Sequence, residues 1–313
     1  MATQVLYLTG KGGVGKSFVA RLLADVAASR GLRTALVRMH TDGAGDAVGN
    51  RVGAGAPDAG KGSSGAAAAT VSLDQDRALR HLLTRVLRFR FLSNRLMDSR
   101  TFSAVASAAP GVKDLVTLSY LRDLAAGEVA PGHDLLIVDG VASGHSVPLL
   151  AAPRRVHELL RVSPAARVAA DVETFVHDAR RFRAVIVTLP EELCVGEAIE
   201  LTADLDDLGV SMTRPIVNCI YPPGATRAQA TWLREHDASD DSLLYLSRRE
   251  RQLELATRLE HDGAQPLLFP FLFERHDSGK AAGDAAGRLL DELLKNPSGD
   301  DTISRERADE ATP

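Results

Sequence analysis

The chain has 313 residues, 45% hydrophobic and 25% charged, which suits a packed core and excludes a protein disordered throughout. Its net charge of −4 argues against a general nucleic-acid binder or a protein held on anionic membranes by charge alone. Two cysteines, Cys194 and Cys219, are too few for a disulfide framework or a four-thiolate zinc site, and the 9 histidines form no metal-ligand pair at helical spacing.

The first residues lead directly into an apolar stretch, with neither a basic start nor a small-residue cleavage site. No apolar run is long enough to span a bilayer, so a cytoplasmic protein with no integral membrane segment is expected. Residues 4–9, Gln-Val-Leu-Tyr-Leu-Thr, predict a short buried strand. Beyond the glycine-rich loop the period changes: Val19, Leu22, Leu23, Val26 and Ala27 lie on one helical face, and Gly31 closes that helix. A second strand is predicted at 34–39, completing a β-loop-α-β unit that starts a parallel sheet.

Residues 42–69 are rich in glycine and alanine, and 53–69 are expected to form a flexible surface loop. A second Gly-Lys-Gly, at Gly60 to Gly62, follows no strand and is not read as a phosphate loop. Residues 70–73 predict a short strand and 75–127 a helical subregion, with Leu79, Leu82, Leu83, Val86 and Leu87 at helical spacing and a break at Pro110-Gly111. Phe91, Leu92, Leu96, Met97, Phe102 and Val105 extend its apolar surface, as core, dimer packing or a groove for an amphipathic client helix.

Residues 134–139 form a continuous apolar strand ending in Asp139. Further strands are predicted at 184–189, 215–218 and 266–269, with a helix at 191–208 capped by Gly209. This alternation predicts an α/β fold with a doubly wound, mostly parallel sheet in one domain, 1–295, followed by a disordered tail at 296–313.

The chemistry concentrates in Gly10, Lys11, Gly12, Gly13, Val14, Gly15, Lys16 and Ser17, which match G-x-x-x-x-G-K-[ST] between a strand and an amphipathic helix. Glycines let successive backbone N–H groups turn toward phosphate oxygens at a helix N-terminus. Lys16 is expected at the β/γ-phosphates of ATP and Ser17 on Mg²⁺. Asp42 and Asp139 follow neighbouring predicted strands at their carboxyl ends, where carboxylates face phosphates and metal; Asp46 is read as a loop residue.

Lys11 is not required by the general pattern. Lys-Gly-Gly-Val-Gly-Lys-Ser resembles the deviant Walker A of the SIMIBI class of P-loop ATPases, and Asp139-Gly-Val-Ala-Ser-Gly-His-Ser146 resembles the Asp-Thr-Ala-Pro-Thr-Gly-His-Thr switch motif of the ArsA/guided-entry ATPase family within it. His40-Thr-Asp-Gly-Ala is similar to that family's first switch, Ser-Thr-Asp-Pro-Ala. Val187-Thr-Leu-Pro-Glu-Glu-Leu, Glu197, Ile216-Val-Asn-Cys and Ala109-Pro-Gly-Val-Lys-Asp-Leu resemble other family segments, extending the likeness over about residues 4–275.

The resemblance implies a Mg²⁺-dependent ATPase that switches as a homodimer, or as a heterodimer with a related ATPase, and handles hydrophobic or membrane-protein clients. It implies Lys11 reaching the partner's nucleotide, Asp42 orienting the attacking water, Asp139 holding the Mg²⁺ shell and Gly144 near the γ-phosphate. It also implies Asn218 on the adenine edge, Pro270 and Phe271 flanking the base, and His145 coupling the switch to the helical subregion. Gly43 and the run from Gly140 to Ser143 depart from the family, and their glycines are expected to loosen the switches. Slow hydrolysis, or a regulatory subunit of a paired ATPase, is the alternative this leaves; a MinD/ParA-type positioning ATPase is a third. No Cys-x-x-Cys is present, so a zinc-clamped dimer is excluded, and both cysteines are expected to be small buried apolar residues.

Overall fold

A computed structural model describes residues 3–39, 68–73, 78–79, 81–82, 111–130, 132–160, 164–225, 227–235, 240–261, 264–272 and 278–295. Seven strands form one parallel sheet: β1 (Gln4–Gly10), β2 (Thr34–Met39), β3 (Ala69–Leu73), β4 (Leu135–Ala142), β5 (Phe182–Thr188), β6 (Ile216–Ile220) and β7 (Leu267–Pro270), in the order β3-β2-β4-β1-β5-β6-β7. The helices are α1 (Lys16–Ser29), α2 (Val112–Ala125), α3 (Ser143–Leu160), α4 (Pro164–His177), α5 (Glu192–Asp207), α6 (Arg227–Glu235), α7 (Asp240–Thr257) and α8 (Ser278–Leu294).

The strands are apolar on both faces because helices cover both faces. Leu6, Leu8, Leu36, Leu135, Ile137, Val185 and Val187 point to a core closed by α1 and α8. Their neighbours Val5, Tyr7, Ala35, Val37, Leu136, Val138, Ala184 and Ile186 point to the opposite core, closed by α2, α3, α4 and α5. The period of two along each strand thus assigns side chains to alternate layers, giving the doubly wound α/β fold expected from the sequence. Tyr7 stacks on Phe182 with ring centroids 5.8 Å apart, and Phe175 of α4 meets Phe182 edge-on at 5.6 Å.

The predicted strands and the helices α1 and α5 lie where the sequence puts them, within a residue or two. Strand β4 differs: it continues three residues beyond Asp139, which pairs in register with Leu8 on one side and Arg38 on the other. Ala69, expected at the end of a loop, opens β3. Helix α2 starts after Gly111 and buries Leu115, Leu118, Leu121 and Leu124, so this part of the helical subregion is core. Its buried Asp123 meets Arg122 and accepts from His81 Nε2 at 2.8 Å. Helices α3, α4, α6, α7 and α8 carry no expectation from the sequence; α3 contains Pro148 and Pro153, which hide its helical period. The expectations for 53–67, the apolar residues from Phe91 to Val105, and the tail from 296 fall outside the described residues.

Candidate functional site

Strand β1 is central and has β4 on one side and β5 on the other, so the chain reverses direction of winding at its carboxyl end. That is the crevice where open α/β sheets bind ligands. Residues 10–15 fill it. Gly10 has φ 137°, and a Cβ there would lie 2.0 Å from the Val187 carbonyl oxygen, so only glycine passes between β1 and β5. Gly15, with φ 91°, caps α1; a Cβ there would lie 2.3 Å from Asn218 Nδ2. These contacts favour glycine at both ends of the loop, Gly10 where β1 enters it and Gly15 where it turns into α1.

Lys16, the first residue of α1, folds back over the loop. Its Nζ donates to the carbonyl oxygens of Gly10 and Lys11, each at 2.9 Å. Burial lowers its pKa, and the charges of Asp139 and Glu197 act in the opposite direction. The half-buried carboxylate of Asp139 makes no hydrogen bond or ion pair among the described residues, and neither does the exposed hydroxyl of Ser17. An ammonium with an unpartnered carboxylate and hydroxyl beside it is a donor set that fits a phosphate chain and a hard, oxygen-seeking cation.

Around this set the structure adds contacts that the sequence does not indicate. Lys11 Nζ lies 3.1 Å from Glu197 Oε2, and the Ser143 hydroxyl donates to Glu197 Oε1. These contacts, the Ser143 hydroxyl foremost and then Lys11, hold the Glu197 carboxyl below the usual glutamate range. Beneath them, buried Ser146 Oγ lies 2.6 Å from Thr9 Oγ1 and 3.1 Å from Tyr7 Oη, and it donates to the Val141 carbonyl at 3.0 Å. This hydroxyl network joins the strand before the phosphate loop to the start of α3. Burial pushes the Tyr7 hydroxyl up to about 12, so it stays protonated. Gly144 and His145, in the first turn of α3, are exposed.

Asn218 is buried within β6 rather than ending it, and it closes the loop from below. Its Nδ2 donates to the Val14 carbonyl at 2.8 Å, and its Oδ1 accepts from the Cys219 N–H at 2.9 Å. Cys219 has a left-handed φ of 62°, where the β6–β7 register shifts. Gln252 of α7 holds that bend, donating to the Cys219 carbonyl at 3.2 Å and accepting from the Tyr221 N–H at 2.8 Å. Tyr221 stacks on Tyr245 at 5.2 Å and meets Phe271 edge-on at 5.9 Å, and Pro270 ends β7 just before Phe271. An aromatic cluster therefore stands at the end of β6 and β7, where Phe271 is partly exposed.

The structure thus gathers Gly10, Lys11, Gly12, Gly13, Val14, Gly15, Lys16 and Ser17 with Asp139 and the first turn of α3 at one end of the sheet, with Asn218 beneath. Asp42 lies outside the described residues. Cys194 is buried and Cys219 half-buried, and burial raises both thiols, so neither is a ready thiolate ligand. Among the described residues no helix is long and apolar enough to cross a membrane.

Comparison with known proteins bears on the family of the chain. Residues 3–170 match the family described as anion-transporting ATPase. An uncharacterized protein of Streptomyces coelicolor is 34% identical over 170 residues, covering 50% of this chain and 39% of the relative. A protein of Halobacterium salinarum named "Putative arsenical pump-driving ATPase" is 28% identical over 296 residues, covering 88% of this chain and 42% of that one. The chain spans about two fifths of the length of these curated relatives.

Proposed function

The chain belongs to the anion-transporting ATPase family, and on that premise we propose that it binds and hydrolyses Mg–ATP at residues 10–17 and switches as a dimer. The observation that carries the reading is Lys16, whose two bonds to the Gly10 and Lys11 carbonyls hold an ammonium over the glycine loop, with the charge of Asp139 acting on it. ATP would exchange those carbonyls for its β- and γ-phosphate oxygens. Ser17 and Asp139 are the residues that would hold Mg²⁺, which neutralises phosphate charge when bound. The N–H groups of the loop and of the first turn of α1 orient the phosphates, and Asn218 fixes the loop through Val14.

Asp42 orients the attacking water in this reading, and Lys11 serves a second protomer, either another copy or a related ATPase. The resemblance of Lys11 and Asp42 to the family's motifs supports both roles. A hydrophobic protein client rests on the apolar residues between Phe91 and Val105. Phosphate release by purified protein, with light scattering in the presence of a non-hydrolysable ATP analogue, tests the proposal. Turnover lost in Lys16→Ala and in Asp139→Asn, with an ATP-dependent doubling of mass, is expected. A folded protein with no turnover, alone or with a related ATPase, removes the hydrolase reading.

A further inference from the structure

Lys11 and Glu197 come from distant parts of the chain, the phosphate loop and the middle of α5, yet their charges meet at 3.1 Å. The other carboxylate oxygen of Glu197 accepts from Ser143, the first residue of α3 in the segment that follows Asp139. One side chain therefore holds both the lysine available to a second protomer and the start of the switch helix. The contact is partly open to solvent: the Lys11 side chain is 30% and that of Glu197 32% exposed. Leu193, one helical turn before Glu197 on α5, is 71% exposed. An ion pair this exposed is weak enough to be outcompeted by a polyphosphate, which offers a lysine more negative charge than one carboxylate.

Electrostatics bind the two functions together. Glu197 faces Lys11 directly and Lys16 at longer range, and the only other acidic group acting on Lys16 among the described residues is Asp139. Glu197 and Asp139 are thus the acidic counter-charges of the loop lysines among the described residues. Glu197 has no place in a phosphate-contacting set, because a carboxylate repels the γ-phosphate.

We propose that Glu197 is a positioning residue that holds Lys11 in its own protomer and ties it to Ser143, so that Lys11 reaches a partner only when this contact opens. The inference rests on the dimer reading above. Ser143 gains a second role from it: movement at the start of α3 pulls on Glu197 and releases Lys11, linking the switch to association.

The test is the ATP-dependent dimer dissociation constant of the full chain, measured by analytical ultracentrifugation with a non-hydrolysable ATP analogue and Mg²⁺. Wild type, Glu197→Gln, Glu197→Ala, Lys11→Met and the Lys11→Met/Glu197→Gln double variant are compared, with melting curves confirming that each folds. Removing the carboxylate is expected to tighten the dimer about threefold or more, the scale of an exposed ion pair. The gain should vanish in the Lys11→Met background, a result that a merely structural role for Glu197 would not give. Wild-type association that is unchanged in both Glu197 variants, or a gain that persists without Lys11, overturns the proposal and leaves the dimer standing. No association in any variant overturns both, and that pattern is distinct from the first.

Discussion

Gly140 gives a prediction whose sign separates two accounts of the same glycine. Read from sequence, it replaces a threonine of the family motif and loosens the segment after Asp139, so Gly140→Ala should stabilise by about 0.4–1 kcal/mol through the unfolded chain. The structure says otherwise. Gly140 is buried inside β4, and a Cβ there would lie 2.5 Å from the Leu8 carbonyl oxygen and 2.6 Å from Cε2 and Cζ of Tyr7. Tyr7 cannot swing away, because it is fully buried, stacked on Phe182 and in hydrogen-bond contact with Ser146. Forcing a methyl into such packing costs roughly 1–3 kcal/mol. At about 2–4 °C per kcal/mol for a chain of this class, thermal melting should fall by roughly 3–10 °C. Differential scanning fluorimetry reads it, and Tyr7→Leu in the same chain should recover the part due to the ring, giving a coupling energy in a double-mutant cycle. A neutral or raised melting temperature in Gly140→Ala, or strict additivity with Tyr7→Leu, refutes the packing argument.

Asn218→Ala should cost about 1–3 kcal/mol by leaving the buried Val14 carbonyl without its donor, and weaken nucleotide binding; isothermal titration beside a melting curve separates the two effects. Asn218→Asp, which sets a carboxylate against that carbonyl, should be worse than alanine in the same titration. The pH dependence of stability at Glu197 has a fixed sign. Its folded pKa lies below its unfolded one, so its contribution is complete above the ordinary glutamate range and lost as pH falls through the depressed value. Melting curves across the acid limb should therefore converge for wild type and Glu197→Gln, and divergence there would contradict the contact. Ser146→Ala should disturb the hydroxyl network at Thr9 and Tyr7 and lower turnover, read as phosphate release, more than it lowers nucleotide affinity.

Much of the fold was legible because buried parallel strands leave short apolar runs, and because glycines such as Gly31 and Gly209 punctuate helices. The loop was legible for the same reason, as Gly10 and Gly15 occupy positions where any side chain collides. What stayed hidden depends on contacts across long sequence separations. Nothing in the spacing of Lys11, Ser143 and Glu197 announces that they meet, and the tertiary packing of α5 alone brings them together. Asn218 stands out in the sequence only through the resemblance, which implies the adenine edge, and the bond it makes, to Val14, follows from where β6 runs beneath the loop. Gly140 misleads in sequence because glycine is read as freedom, whereas its reason here is the ring of Tyr7.

The central claim is that residues 10–17 bind a nucleotide through Lys16. Isothermal titration of the full chain with ATP and Mg²⁺ tests it most directly. Saturable binding to wild type, lost in a Lys16→Ala variant with an unchanged melting curve, is the predicted result. A folded wild-type protein that takes up no nucleotide, or a Lys16→Ala variant that binds as well as wild type, would contradict it.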